Sequence, residues 1–584
     1  MLWRRWVKRL FIGSFVGIAA FDAANERVVT RSLRTVYCEV YLSLLYKLSD
    51  PQTSEELSAL HLRAANIVLS CCMSNEGLYI KFGQGLSAFN HIMPPEYSTT
   101  LRVLLDQAPQ VPIDAVRKIF QEETGKSFLE VFDSFEEAPV ASASIAQVHK
   151  ATIKRSKLTD AEQQELLASG NVGSPDEVVT VAVKVQKPNI QKQIWWDLQS
   201  YFFVCRMMQY FFDLPLMWSA QTIADNLIRE IDFELEVSNS QRARSILQHR
   251  RDTYVPMTVK SLSSKRVMVT EWIDAVKLTE SDQVGSLFPT ASILRTIMES
   301  FGEMIFSHGF VHCDPHPANL MVRRVPGGRK EYQVVLLDFG LCIQESERFR
   351  LEYALLFKSI FTHERSTLER IVRSWGINHP ELFASMQLHK PYNASRPVNV
   401  ADVSRADVAA MERSMKTNIK TLLENEELIP RELVFVGRSM NLLRALNKSY
   451  GSPINRVNIF AGCAVSALGN TKTIDDIEAI LGEGKSTSSS TVPTIEANER
   501  ALLAPRVKRR KALGDVTQEL RFYWTLFLLS AVHNLTRQYN ALLALFLPRQ
   551  WYERCALGSL DDLSEKAEVN ATHRMHKMRI GGND

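Results

Sequence analysis

Two stretches of this chain carry residues at spacings that could do chemistry. The first is His312-Cys313-Asp314-Pro315-His316-Pro317-Ala318-Asn319, and the second is Leu337-Asp338-Phe339-Gly340. H-x-D-x-x-x-x-N followed by D-F-G is the layout of a phosphoryl-transfer loop and its metal-binding turn. Asp314 can accept a hydroxyl proton or orient a nucleophile. Asn319 and Asp338 offer the hard oxygens that Mg²⁺ takes alongside water and phosphate. Either motif alone is a weak signal; the ordered pair is specific. Between them, Val322 to Tyr332 holds Pro326-Gly327-Gly328 between two apolar runs, which predicts a hairpin joining the motifs.

Upstream, Val181-Ala182-Val183-Lys184 is an apolar strand-like run ending in a lysine suited to nucleotide phosphates and to pairing with a helix glutamate. By itself Lys184 would read as a solvated strand-end lysine. Glu236 is the candidate partner, in the acidic run Glu230-Ile231-Asp232-Phe233-Glu234-Leu235-Glu236. That run would otherwise read as a solvated helix face. Like charges so close cost stability unless cations such as Lys184, Lys81 or Mg²⁺ offset them. No G-x-G-x-x-G precedes Lys184. In its place stands Ala141-Ser142-Ala143-Ser144-Ile145-Ala146-Gln147-Val148-His149, whose small residues allow close backbone approach to phosphate. Alanine lacks the freedom of glycine at φ > 0, so the loop should be stiffer. Arg266 to Trp272 is strand-like and leads to Asp274, where a kinase hinge would meet adenine, so Glu271 joins Ala141, Ser142, Ala143, Ser144, Lys184 and Glu236 among the nucleotide-binding candidates.

Five blocks together resemble the UbiB family of atypical kinases, also called aarF-domain-containing kinases. They are Lys81-Phe82-Gly83-Gln84 (K-x-G-Q), Ala141 to His149, Val181 to Lys184, Glu230-Ile231-Asp232 (E-x-D), and His312 to Asn319 with Asp338-Phe339-Gly340. The resemblance spans roughly Ala65 to Asn470 and is nearest the mitochondrial subgroup. It implies an α+β, protein-kinase-like bilobal fold with an N-terminal helical extension bearing K-x-G-Q and a largely helical C-terminal region. It further implies that Lys81 projects toward Glu230 and Asp232, that Gln84 helps hold this cap, and that the cap occludes the site where a peptide would bind. The implied activity uses ATP and Mg²⁺, hydrolysing ATP or phosphorylating a lipid-like or quinone-like molecule, and links the chain to coenzyme Q and mitochondrial lipids. The chain departs from the pattern at Ala318, where glycine is usual, at Ser142 within the alanine-rich loop, and in Arg155 to Val178, an insertion whose polar composition predicts an exposed excursion with a helix over Asp160 to Ala168. None of these removes a catalytic side chain.

Leu57 to Phe89 and Ala115 to Phe132 are helical, and Val148 to Lys154 and Val178 to Val185 are strands. Ile194 to Tyr210 is a buried helix with Trp195 and Trp196 in the core. Ile293, Leu294, Ile297, Met298, Phe301, Met304 and Ile305 recur at helical spacing and feed the catalytic loop. After Gly340 the chain enters a helical pattern over Glu345 to His363 with no A-P-E, which argues against docking of a protein substrate. The organisation is 1–50, targeting or anchor; 51–135, helical extension; 136–280, N-lobe; 281–480, C-lobe and helices; 481–500, Ser/Thr-rich linker; 501–584, helical tail.

A chain of 584 residues with 45% hydrophobic and 23% charged content supports a large globular core. A net charge of +4 is too small to point to nucleic acid. The eight cysteines show no metal-ligand spacing and fit a reducing interior. Arg4, Arg5, Lys8 and Arg9 with no acid before Asp22, then apolar Leu10 to Phe21, read as mitochondrial targeting with inner-membrane association, the alternative being a secretory signal. Arg506 to Lys511 with the apolar runs Phe522 to Val532 and Ala541 to Leu547 reads as a helical hairpin on the core or as membrane-surface contact. Gly484-Lys485-Ser486 is not a phosphate loop, for no strand or correctly spaced glycine precedes it. Two functions stand: an ATP-consuming enzyme, or a pseudokinase scaffold that binds nucleotide and lipid or protein partners.

Overall fold

The computed structural model describes residues 17, 19–88, 94–106, 110–168, 177–212, 217–325, 332–378, 380–388, 430–469, 471, 473–483 and, between 522 and 540, 522–524, 526–527, 530–531, 533–535 and 538–540. Nearly all of the targeting segment, the Pro326-Gly327-Gly328 turn, nearly all of the Ser/Thr-rich linker, the Arg506 to Lys511 cluster and the Ala541 to Leu547 run lie outside these residues. The chain has an α+β kinase-like fold and divides into two compact units.

The first unit comprises residues up to Arg244 together with Pro256–Asp274 and Asp338–Leu341. It begins with three helices, α1 (Val28–Leu48), α2 (Ser54–Asn75) and α3 (Leu78–Ala88). The sequence predicts one helix from Leu57 to Phe89, but Glu76 and Gly77 adopt φ of 55° and 54°, which ends α2 and redirects α3. A Thr53 and Glu56 capping box starts α2. Next come β1 (Ala146–Lys154) and β2 (Val178–Gln186), then helices α4 (Ile190–Phe212), α5 (Met217–Glu230) and α6 (Phe233–Leu247), and β3 (Val267–Glu271). The strands form an antiparallel sheet in the order Ser134–Phe135, β1, β2, β3, with Val148 and Met268 both in register with Lys184. Period-2 burial sends Val181, Val183 and Val185 to one face, against Val116, Ile119, Phe120 and Phe132. The predicted Ala115–Phe132 helix is two pieces, Ile113–Thr124 and Phe128–Val131, broken by Gly125 at φ 70°.

Two expectations need correcting here. The Arg155 to Val178 insertion does contain the helix Asp160–Ala168, but it is not a free excursion. Leu158 and Leu166 join the sheet's core, and Glu162 is buried, accepting from the Ser261 amide and hydroxyl at 3.0 and 2.9 Å. Its polar composition hid these three inward residues. Conversely, Trp195 is not core; it is exposed on α4 while Asp197 and Leu198 face inward. Asp197 is bound by the Arg31 guanidinium, which also donates to the Asn75 carbonyl at 2.5 Å, so one buried arginine ties α1 to both α2 and α4.

The second unit is Ser245–Val255, Ala275–Leu337 and Cys342 onward. Helix α7 (Thr290–Gly302) buries the apolar face foreseen from spacing and widens into a π-helical segment, Glu303–Ser307. It feeds β4 (Phe310–His312), which pairs antiparallel with β7 (Cys342–Gln344), Cys342 opposite His312. Between them β5 (Leu320–Arg324) and β6 (Tyr332–Leu336) form the expected hairpin. Helices α8 (Glu347–Thr362), α9 (Arg365–Ser374), α10 (Arg431–Ser449) and α11 (Arg456–Leu468) follow, with further helices at Pro380–Leu388 and Ile474–Glu483. Phe306, Tyr353 and Phe349 stack in sequence on α8, with ring centroids 5.6 and 5.5 Å apart.

Between β7 and α8 lies Glu345, buried, with no hydrogen-bond partner for either carboxylate oxygen among the described residues. Burial pushes its pKa up to about 8, against the pull of Arg350 and with Glu432 and Glu347 adding to the rise. The fold therefore prefers neutral Glu345, and its contribution is present below pH 4.5 and lost as pH rises toward 8. Replacing it by Gln should leave stability near that of the parent at pH 4.5 and increase it at pH 8.5 by on the order of 2–4 kcal/mol, seen as a raised thermal midpoint. Differential scanning calorimetry across that range reads this difference.

Candidate active site

In the first unit, β2 delivers Lys184 on the face opposite its buried valines. Helix α6 covers that face. Buried Phe233 places its ring 5.0 Å from the ammonium, and one turn later Glu236 receives Nζ at 2.7 Å on Oε1 and 2.8 Å on Oε2. Asp338 Oδ1 lies 3.9 Å from the same Nζ. Burial works against the Lys184 charge, but Asp338 and Glu236 more than restore it, so its pKa stands above the ordinary lysine value. Glu236 is 3% exposed at the side chain, and burial pushes it up to about 7 despite Lys184.

Asp338 sits at φ 55°, a left-handed conformation that a short polar side chain can stabilise. Its Oδ1 accepts from the Gly340 amide at 3.2 Å, and the Phe339 carbonyl accepts from Asn239 Nδ2 at 3.0 Å. A Cβ on Gly340 would stand 3.2 Å from Asp338 Oδ1 and 3.7 Å from Glu236 Oε2, so glycine keeps the aspartate's surroundings clear. Side-chain spacing gave no hint of Asn239, although it follows Glu236 by one turn of the same helix.

The K-x-G-Q block resolves residue by residue. Lys81 Nζ contacts Glu230 Oε2 at 2.9 Å. Phe82 stacks on Tyr201 at 4.6 Å. A Cβ on Gly83 would fall 2.3 Å from Leu104 Cδ1 and 3.1 Å from Cys72 Sγ, so a larger residue there would force the Leu104 side chain to move. Gln84 Nε2 donates to the Leu104 carbonyl at 2.8 Å. Asp232, expected beside Lys81, accepts from the Glu234 amide at 3.1 Å and so starts α6.

The alanine-rich loop is a hairpin corner. Ala141 and Ser142 pair with Val148 and Gln147, and the Ala143 amide donates to the Ala146 carbonyl at 2.8 Å. No residue of Ala141 to His149 has positive φ, so this geometry does not call for glycine. Ser144 is buried with its Oγ unpartnered among the described residues. Gln147 clamps the Val111 backbone, accepting from its amide at 2.9 Å and donating to its carbonyl at 3.1 Å. The Glu271 carboxylate accepts from the Met257 amide at 3.3 Å and its own amide donates to the Met257 carbonyl at 2.8 Å, so the residue fastens the Met257 segment to the sheet.

In the second unit, β4 delivers the loop His312 to Asn319. The Asp314 main chain is held at both ends: its amide donates to His312 Nδ1 at 3.2 Å, and its carbonyl accepts from the His316 amide at 2.7 Å and from Asn319 Nδ2 at 3.4 Å. That leaves Asn319 Oδ1 with lone pairs for a hard cation. Ala318 is exposed and has negative φ, so the methyl that replaces the usual glycine meets no backbone strain. Arg438 of α10, which no local pattern marked, donates from Nη2 to Asp314 Oδ1 at 3.3 Å. After Gly340 the chain passes straight into β7 and α8, with no activation segment between them.

In the first unit, a carboxyl–lysine pair and a second carboxylate at a left-handed turn can bind phosphate and a divalent cation; in the second, an aspartate and an asparagine on a fastened loop can accept a hydroxyl proton and offer an oxygen to a hard cation. Residues 103–159 and 173–372 match the model of the ABC1 atypical kinase-like domain. The chain is 33% identical to an ABC1 family protein of Schizosaccharomyces pombe over 79% of its own length and 84% of that protein's. It is 31% identical to mouse AarF domain-containing protein kinase 1, covering 76% and 83%. It is 30% identical to a probable serine/threonine-protein kinase of Dictyostelium discoideum, covering 80% and 65%.

Replacing Lys184 by Met removes the cation from a buried carboxylate. Glu236 then gains further preference for its neutral form, so the cost grows with pH. It should be on the order of 2–4 kcal/mol at pH 8 and smaller at pH 5. Adding Glu236→Gln should recover most of the pH 8 loss, as read from thermal midpoints at both pH values.

Proposed function

This chain belongs to the ABC1 atypical kinase-like family, and on that premise we propose that it is an ATP-consuming, Mg²⁺-requiring phosphotransferase or ATPase that acts on a small, lipid-like acceptor. The observation that carries this reading is Lys184, fixed by Glu236 and within 3.9 Å of Asp338. Lys184 would take the nucleotide phosphates, Asp314 would accept the acceptor's hydroxyl proton or orient water, and Asn319 and Asp338 would hold the metal. Bound Mg²⁺ would neutralise phosphate charge. The alanine-rich hairpin would offer its backbone to the nucleotide. The direct passage from Gly340 into β7 and α8 leaves no segment on which a peptide would dock, which supports a non-protein acceptor.

Membrane association is part of the same proposal. Leu33, Tyr37, Val40, Leu44 and Leu48 form an exposed apolar row along α1, at steps of three and four residues. The row continues from the basic, acid-free start of the chain and its apolar Leu10 to Phe21 run. A row of this kind suits the interface of an anionic bilayer. The sequence of that start supports mitochondrial residence, and the resemblance to the UbiB family supports a role in quinone or lipid homeostasis.

Purified full-length chain should release phosphate from ATP, faster with anionic liposomes. Asp338→Asn should lower kcat by at least about 100-fold, and Lys184→Ala should chiefly raise KM for ATP. Nucleotide binding without Asp338-dependent turnover would favour the scaffold reading. Separately, Leu33→Glu with Tyr37→Glu and Leu44→Glu should abolish flotation with anionic liposomes while leaving the thermal midpoint unchanged, because all three side chains already face solvent.

A further inference from the structure

The loop from His312 to Asn319 contains an aspartate and two histidines but no lysine or arginine. A carboxylate that must work beside a phosphate chain meets like charge there, and a nearby cation offsets it. Within the second unit that cation is present on a distant segment. Arg438 Nη2 donates to Asp314 Oδ1 at 3.3 Å, and among the described residues each side chain is the only ionic partner of the other. Helix α10 is firmly placed. Val436, Ser439, Met440 and Leu443 are buried, Glu432 accepts from the Ser346 hydroxyl at 3.1 Å, and the Tyr450 hydroxyl just past the helix donates to the Leu278 carbonyl at 2.6 Å. The arginine therefore projects from a fixed helix. The Asp314 main chain is likewise fixed, so the remaining freedom at this position is rotation of the carboxylate, and the guanidinium restrains it through Oδ1 while Oδ2 stays open.

We propose that Arg438 is a positioning residue for Asp314, supplied in cis by the C-terminal helical region, which aims the aspartate's free oxygen at the acceptor hydroxyl and offsets its repulsion from the phosphates. The pair is half exposed, with side chains 53% and 34% accessible, so it adds little to stability and its effect falls on catalysis. This inference rests on the phosphotransferase reading above.

The test is steady-state and single-turnover ATP consumption by the full-length chain with Arg438→Ala, Arg438→Lys, Asp314→Asn and the double variant Asp314→Asn with Arg438→Ala. Arg438→Ala should lower kcat about 10- to 100-fold with KM for ATP within about 2-fold, because the residue acts only in the chemical step. Arg438→Lys should recover part of that loss, keeping the charge but not the planar fork. In the Asp314→Asn background the Arg438→Ala change should cost no more than about 2-fold, since the two residues act as a unit. Parental kcat in Arg438→Ala, a raised kcat, or losses that multiply in the double variant would each overturn the assignment while leaving the phosphotransferase reading intact. Absence of Asp338-dependent turnover in the parent chain would overturn both.

Discussion

The buried pair between Lys184 and Glu236 is the constraint around which the first unit is arranged. Each group alone would be costly in a low-dielectric interior, and together they are acceptable only at close, well-directed range. The 2.7 and 2.8 Å contacts meet that condition. Meeting it fixes the rotation of α6 against β2, because Glu236 must face the sheet at the lysine's level. Phe233, one turn earlier, then lies under the ammonium, and Asn239, one turn later, reaches the Phe339 carbonyl. A single ionic contact thus places three successive turns of one helix, and through Phe339 it also holds the turn that carries Asp338.

A second economy is visible in the alanine-rich corner. Glycine-rich phosphate loops gain access at the expense of backbone freedom. Here no residue of the corner needs positive φ, and side chains fasten it from behind. Gln147 grips Val111, His149 Nδ1 is 2.9 Å from the Glu136 carbonyl, and the Lys187 amide donates to the Ile145 carbonyl at 2.8 Å. The corner is therefore set before any ligand arrives. A preformed loop loses little entropy on binding, and it adapts less to ligands of different shape.

What the sequence disclosed and what it concealed follow from range. The helix before the catalytic loop and the strands around Lys184 were legible because burial with a regular period leaves an imprint in the residues themselves. The hairpin between the two motifs was legible from its turn residues. The Lys184 and Glu236 pairing was suggested by charge and order, 52 positions apart. Breaks at Glu76, Gly77 and Gly125 were missed because apolar periodicity runs through them, while the backbone changes hand in only one or two residues. Trp195 was misplaced because its type suggests the core, whereas its neighbour Asp197, committed to Arg31, decides which face of α4 turns inward. Arg438 had no local signal, since its partner lies 124 positions away on an unrelated element.

The ion pairs of the first unit differ in a way that bears on how the cap and the phosphate site can work. Lys184 and Glu236 are shielded, so separating them strands a charge and costs about 3–5 kcal/mol. Lys81 and Glu230 meet at 2.9 Å but remain 28% and 17% accessible at their side chains. The Glu230 carboxylate is thus less enclosed than that of Glu236, although its contacting Oε2 is itself buried. The cap is nevertheless not loose, because Phe82 against Tyr201, Gly83 against Leu104 and Gln84 on the Leu104 carbonyl hold α3 by packing and hydrogen bonding independent of charge. The first unit thus holds two lysine–carboxylate pairs whose lysines are similarly accessible, at 22% and 28%, and whose carboxylates differ in burial, Glu236 at 3% and Glu230 at 17%.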